Sequence, residues 1–196
     1  IPNIVGVDIG CFSGDTKVSL LNGMQKTLKE LTDIGKDVFV FSLDKNLCLV
    51  AGKATPKLTR KNARVMEVII SGGEVIRCTP DHQFMLINGS YKMAKDLMPF
   101  DSLMPLYRSY VTRDGYERIR TISGNGISTH VMVAKQFLGI KKITDVIHHK
   151  DETWFNNDPN NIEYKNVQLH SKEHKKSHPI FGTDSFKKKR LATLQS

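Results

Sequence analysis

Short runs of alternating apolar and polar residues recur through the first hundred positions: Lys17–Leu21, Asp37–Leu43, Leu47–Ala51, Arg64–Ser71, Glu74–Cys78 and Gln83–Ile87. Alternation over a few residues is the mark of a strand with one face buried. Turn signals separate the runs at Asn22-Gly23, Gly72-Gly73 and Asn88-Gly89, the last a strong two-residue hairpin signal. Residues 1–10, IPNIVGVDIG, read as extended and lead through Cys11-Phe-Ser-Gly-Asp15 into the first run. Lys26–Ile34 predicts one or two helical turns. So many short strands with regular turns predict an all-β sandwich or barrel-like fold for this part.

The pattern changes near Pro105–Ser109. Tyr110–Ile122, followed by Gly124-Asn125-Gly126, reads as a hairpin carrying Arg113, Arg118 and Arg120. Thr129–Gly139 is an apolar-periodic helix with Thr129 as N-cap and Gly139 as stop signal. Asp145–His149 predicts a short strand, and a polar loop over 150–160 leads to Asn161-Ile162-Glu163. Gln168-Leu169 should form or flank the return strand. Ser171 then predicts a helix N-cap, which sets His174 and His178 one turn apart on one face.

Charge sharpens this division. The net charge of +9 is uneven: residues 1–107 carry 13 basic and 11 acidic side chains, residues 108–196 carry 16 and 9. A basic excess confined to one half is the footprint of a polyanion partner, most often nucleic acid. A solvated basic face with no partner is the alternative on charge alone. The basic run Lys187-Lys188-Lys189-Arg190 adds phosphate affinity without sequence information. Three widely spread cysteines, Cys11, Cys48 and Cys78, argue against a disulfide framework. No apolar run approaches the roughly 20 residues that span a bilayer, and no signal peptide is evident. The expectation is a reduced, cytoplasmic protein.

Two stretches carry chemistry. Cys11 follows Gly10, an unhindered acyl residue, so the Gly10–Cys11 amide could rearrange to a thioester. That step needs an acid for the departing nitrogen. Thr79 and His82, three apart around Pro80, can aim a hydroxyl and an imidazole at one peptide bond. With Asp15-Thr16, the Gly35-Lys36-Asp37-Val38 turn, Gln83-Phe84 and Tyr91–Leu103, residues 11–107 resemble the splicing domain of inteins, the Hint fold shared with hedgehog autoprocessing domains. The resemblance implies that Cys11 is the first splicing nucleophile and that Thr79 and His82 activate its amide. Residues 1–10 would then be N-extein. Inteins end in a His-Asn pair that this chain lacks at Gln195-Ser196, so complete splicing within these residues is not expected: the chain is longer, a C-terminal intein fragment is supplied in trans, or the splicing element has decayed.

The second stretch, residues 146–178, holds tandem His148-His149, then Asn161, then His174 and His178. Neutral imidazoles from a strand and a following helix suit a divalent metal. His149, on the opposite side of its strand from His148, is left free of that cage. Residues 129–178 resemble HNH homing endonucleases of the ββα-metal type. That resemblance implies double-stranded DNA as partner and one divalent ion, Mg²⁺, Mn²⁺ or Zn²⁺. It makes His148, His174 and His178 metal ligands, His149 the general base and Asn161 the group that orients it. His170 reads as solvent-facing or a further ligand, His130 as a packing residue, and Trp154 with Phe155 as braces of the loop.

The whole therefore predicts an α+β chain: a mostly-β Hint domain over 11–107, followed by an HNH endonuclease domain over 108–196 with a basic tail. Arg113, Arg118, Arg120 and the 187–190 run would contact DNA. Two rivals stay open: an autoprocessing protein whose nuclease is vestigial, and a DNA-binding module with a structural metal.

Overall fold

The computed structural model describes residues 10–110, 115–120, 122 and 126–171. They fall into two compact units, one extending to Tyr107 with Arg120 and Ile122, the other taking Arg108–Ile119 and the chain from Gly126 on.

The first unit is a set of antiparallel ribbons. β1 (Lys17–Ser19) pairs with β2 (Gln25–Thr27) around the Asn22-Gly23 turn, with Val18 opposite Lys26. α1 (Leu28–Ile34) follows directly. Thr27 and Glu30 form a reciprocal capping box at its start. Gly35 ends it in the left-handed region at φ 64°, which a residue without Cβ adopts at little cost. The segment Lys26–Ile34 is thus part strand and part helix. β3 (Val38–Leu43) pairs with β4 (Leu49–Ala54), and β5 (Met66–Ile69) with β6 (Val75–Cys78). β7 (Gln83–Met85) pairs with β8 (Tyr91–Met93) across Asn88-Gly89. β8 ends at Met93, where a 3-10 turn, Ala94–Asp96, takes over.

Isolated bridges stitch the ribbons together: Phe12 to Cys78, Leu20 to Val40 and Leu86 to Leu103. Among the described residues two small cores result. Val18, Leu20, Leu31 and Val40 pack α1 on the first strands. Cys78, Phe84 and Ala94 pack beneath the chain entry at Phe12. Burial pushes the Cys78 thiol up to about 11, so this cysteine is an inert apolar filler.

β9 (Tyr107–Tyr110), β10 (Glu117–Arg120) and β11 (Ile127–Ser128) form a three-stranded sheet whose residues belong to the second unit apart from Tyr107 and Arg120. α2 (Thr129–Phe137) follows at once. β12 (Asp145–His149) pairs with β13 (Ile162–Asn166), placing His148 opposite Glu163 and His149 opposite Ile162. α2 packs on this hairpin through Met132, Val133 and Ala134.

Two helix starts differ from the pattern-based expectation. Ser128, not Thr129, occupies the N-cap of α2. Thr129 is fully buried and donates its hydroxyl to Glu117 at 2.7 Å. The helix after β13 begins at 167 rather than beyond Ser171. Asn166 caps it by accepting from the Gln168 amide, and Ser171 bonds back to the Val167 carbonyl from inside the helix.

Among the described residues, no helix is long and apolar enough to cross a membrane.

Candidate functional site

The Gly10–Cys11 junction lies against the turn that precedes β7. Thr79 grips Cys11 at both ends of its backbone. Its hydroxyl oxygen accepts the Cys11 amide hydrogen at 2.8 Å, and its own amide donates to the Cys11 carbonyl at 2.8 Å. The Thr79 carbonyl accepts from the His82 amide at 3.0 Å, closing the turn around Pro80 and Asp81. The sequence-predicted trio of Cys11, Thr79 and His82 is therefore brought together from positions 68 residues apart.

His82 sits between Phe12 and Phe84, with ring centroids 3.9 and 5.1 Å away. Both ring nitrogens are shielded, and among the described residues neither has a hydrogen-bond partner. Loss of water pulls its pKa below the ordinary imidazole value. The nearby Gly10 backbone and Asp81 counter this only in part. Gly10 is required here by space: a Cβ on it would fall 2.3 Å from the His82 Cα and 2.6 Å from the His82 amide nitrogen. A further contact was not foreseen from sequence. Thr59 Oγ1 lies 2.9 Å from Cys11 Sγ.

The intein splicing domain family matches residues 18–193. The chain belongs to this family. Over 183 residues it is 37% identical to the DNA gyrase B protein of Synechocystis sp., covering 85% of the chain and 17% of that protein. Over 96 residues it is 26% identical to the rpc2 component of DNA-directed RNA polymerase III from Dictyostelium discoideum, covering 47% and 6%. The chain therefore spans only a small part of either relative. Among solved structures it resembles a DnaB intein from Synechocystis sp. at 21% identity and TM-score 0.45, covering 61% of the chain and 81% of that structure.

The second histidine cluster of this intein chain lies in the other unit. His148 and His149 are both buried and point to opposite faces of β12. His148 meets His170 of the following helix, ring centroids 5.1 Å apart and nearly perpendicular. The earlier helix start is the reason: it places His170 in the first turn, over the hairpin. His174 and His178, expected as ligands, lie outside the described residues. Among the described residues no group of three or more His, Cys, Asp or Glu side chains gathers as a metal cage.

His149 faces inward. Its Nε2 lies 3.1 Å from Asn157 Oδ1, and its ring stacks at 6.1 Å on Tyr116 with His130 edge-on at 5.8 Å. Burial lowers its pKa, with the Asn157 contact opposing. The expectation that Asn161 holds this ring is corrected. Asn161 donates its amide hydrogens to Asp151 and to the Asn156 carbonyl at 2.8 Å each, and its oxygen accepts from the Asp151 amide. With its donors and acceptor spent on the loop, Asn161 staples residues 151–156, and Asn157 is the partner of His149. Trp154 braces the same loop, meeting Phe155 and Tyr110 edge-to-face.

Arg118 and Arg120 share the exposed face of β10, alternating with buried Glu117 and Ile119. Arg118 donates to the Gly126 carbonyl and Arg120 lies over the Tyr107 ring. Arg113 and Lys187, Lys188, Lys189 and Arg190 lie outside the described residues.

Proposed function

We propose that this intein chain opens the Gly10–Cys11 peptide by an N–S acyl shift and carries an HNH-type DNA endonuclease. The observation behind the first half is the Thr79 grip on the Cys11 amide. In the shift, Cys11 Sγ bonds to the Gly10 carbonyl carbon, the C–N bond breaks, and the thiol proton ends on the Cys11 amine. The step is an isomerisation needing no external reactant. The Thr79 hydroxyl holds the scissile nitrogen, and His82, neutral near pH 7 because it is desolvated, accepts the thiol proton and returns it to that nitrogen. A reporter fused ahead of Ile1 should be released by added thiol, and Cys11→Ala should abolish release. Equal release from both proteins overturns this reading.

The second half rests on the His148–His170 and His149–Asn157 pairs on opposite faces of β12. His148 and His170 would hold a divalent ion, with His174 and His178 as further candidates. Such an ion, when bound, offsets negative charge on a phosphate. His149 takes the proton of the attacking water, and Asn157 fixes its ring. Arg118 and Arg120 face the phosphates of double-stranded DNA, together with Arg113 and the 187–190 run. Supercoiled plasmid carrying the uninterrupted coding site, incubated with Mg²⁺, Mn²⁺ or Zn²⁺, is the test. No cleavage in any metal, or cleavage unchanged by His149→Ala, would sink the nuclease.

A further inference from the structure

The segment joining β4 to β5, residues 55–65, holds no strand or helix, yet two consecutive residues tie it to the junction. Thr59 Oγ1 stands 2.9 Å from Cys11 Sγ. Arg60 pairs with Asp81 at 2.9 Å, one position before His82. The strap therefore touches the nucleophile on one side and the Thr79–His82 turn on the other. We propose that Thr59 is a positioning residue that holds the Cys11 sulfur for attack, with the Arg60–Asp81 ion pair anchoring the strap that carries it. The inference rests on reading Gly10–Cys11 as the reacting bond.

The chemistry favours a hydroxyl at this place. A cysteine side chain has one free rotation, χ1, so a single contact at sulfur selects among three staggered positions. A threonine hydroxyl can accept from the S–H group before reaction and donate to sulfur as its proton leaves. The attacking species is the thiolate, and a hydrogen bond to a charged acceptor is stronger than one between neutral groups. Thr79 holds the nitrogen of the bond, and His82 carries the proton from sulfur to nitrogen. Neither fixes the position of the sulfur before attack, and Thr59 supplies that restraint.

The test uses the full chain with an N-terminal reporter and follows thiol-induced release. Thr59→Val keeps the shape and removes the hydroxyl, whereas Thr59→Ser keeps the hydroxyl. Release should slow about tenfold or more in Thr59→Val, a rise of about 1.4 kcal/mol in the barrier. Thr59→Ser should return to within about threefold of the wild type. Arg60→Gln should fall between the two. Melting temperatures of the three variants should match the wild type, since the contacts lie at the surface.

Release from Thr59→Val at the wild-type rate overturns the proposal. So does Thr59→Ser as slow as Thr59→Val, because shape and not the hydroxyl would then matter. If the wild type releases no more reporter than Cys11→Ala, the acyl-shift reading fails separately. Iodoacetamide labelling of Cys11, followed by peptide mapping, then still judges Thr59: an unchanged labelling rate in Thr59→Val overturns its role.

Discussion

Thr79 accepts the amide hydrogen of Cys11 through its hydroxyl and donates its own amide to the Cys11 carbonyl, each at 2.8 Å. The backbone bond would hold Cys11 in place whatever side chain stood at 79. The hydroxyl bond is specific to the scissile nitrogen. Thr79→Val should therefore fold normally and slow thiol-induced release by about a hundredfold, the usual cost of losing one aligned polar group at a reacting centre. Circular dichroism alongside the release assay separates the two effects.

Gly10 tolerates no side chain. Gly10→Ala would set a methyl 2.3 Å from the His82 Cα, which is backbone and cannot swing aside. Either the junction or His82 must shift. Release should drop sharply in Gly10→Ala and further in Gly10→Val. The measurement is the rate of N-terminal release at saturating thiol.

His82 makes stability depend on pH. Its folded pKa lies below the ordinary value of about 6.5, so the unfolded chain binds the proton first as pH falls. Its contribution is complete above about pH 6.5 and is lost as pH drops through the folded value. Denaturant midpoints should fall between about pH 7.5 and pH 5, and His82→Gln should flatten that part of the decline. An equally steep decline in the variant would contradict this.

The two asparagines of the β12–β13 loop should both matter, Asn157 most of all for cleavage. Asn157→Ala removes a fully buried side chain that bonds His149 and the Phe155 carbonyl, so DNA cleavage should fall by about tenfold to a hundredfold and the melting temperature should drop as well. Asn161→Ala breaks three loop bonds, and should lower the melting temperature as well as activity. Paired thermal scans and plasmid assays check both.

Glu117 is almost wholly buried and balanced by Arg108 at 2.6 Å and by the Thr129 hydroxyl at 2.7 Å. Removing one partner of a buried pair strands the other. Glu117→Ala should destabilise the second unit by about 3 kcal/mol, and Thr129→Val by about 1–2 kcal/mol. Chemical denaturation read on Trp154 measures both.

Local sequence pattern determined most of the ribbons. Alternation and the Asn-Gly turns located β1, β3 through β7 and β12 because strand period and turn chemistry are properties of neighbouring residues. The chemistry of Cys11, Thr79 and His82 was legible through family resemblance, and the fold does gather these three. What sequence pattern could not reach were the partners chosen across space. Ser171 and Asn166 are both good caps, and the folded chain uses Asn166; the five-residue shift set His170 against His148. Asn157 and Asn161 are the same residue type four apart, and the loop's own hydrogen bonds decided which one faces His149. Thr59 carries no motif, and it meets Cys11 only because the 55–65 segment folds back across 48 residues of chain. Short-range periodicity sets which face of an element is apolar. Tertiary packing sets which polar group ends within 3 Å of which.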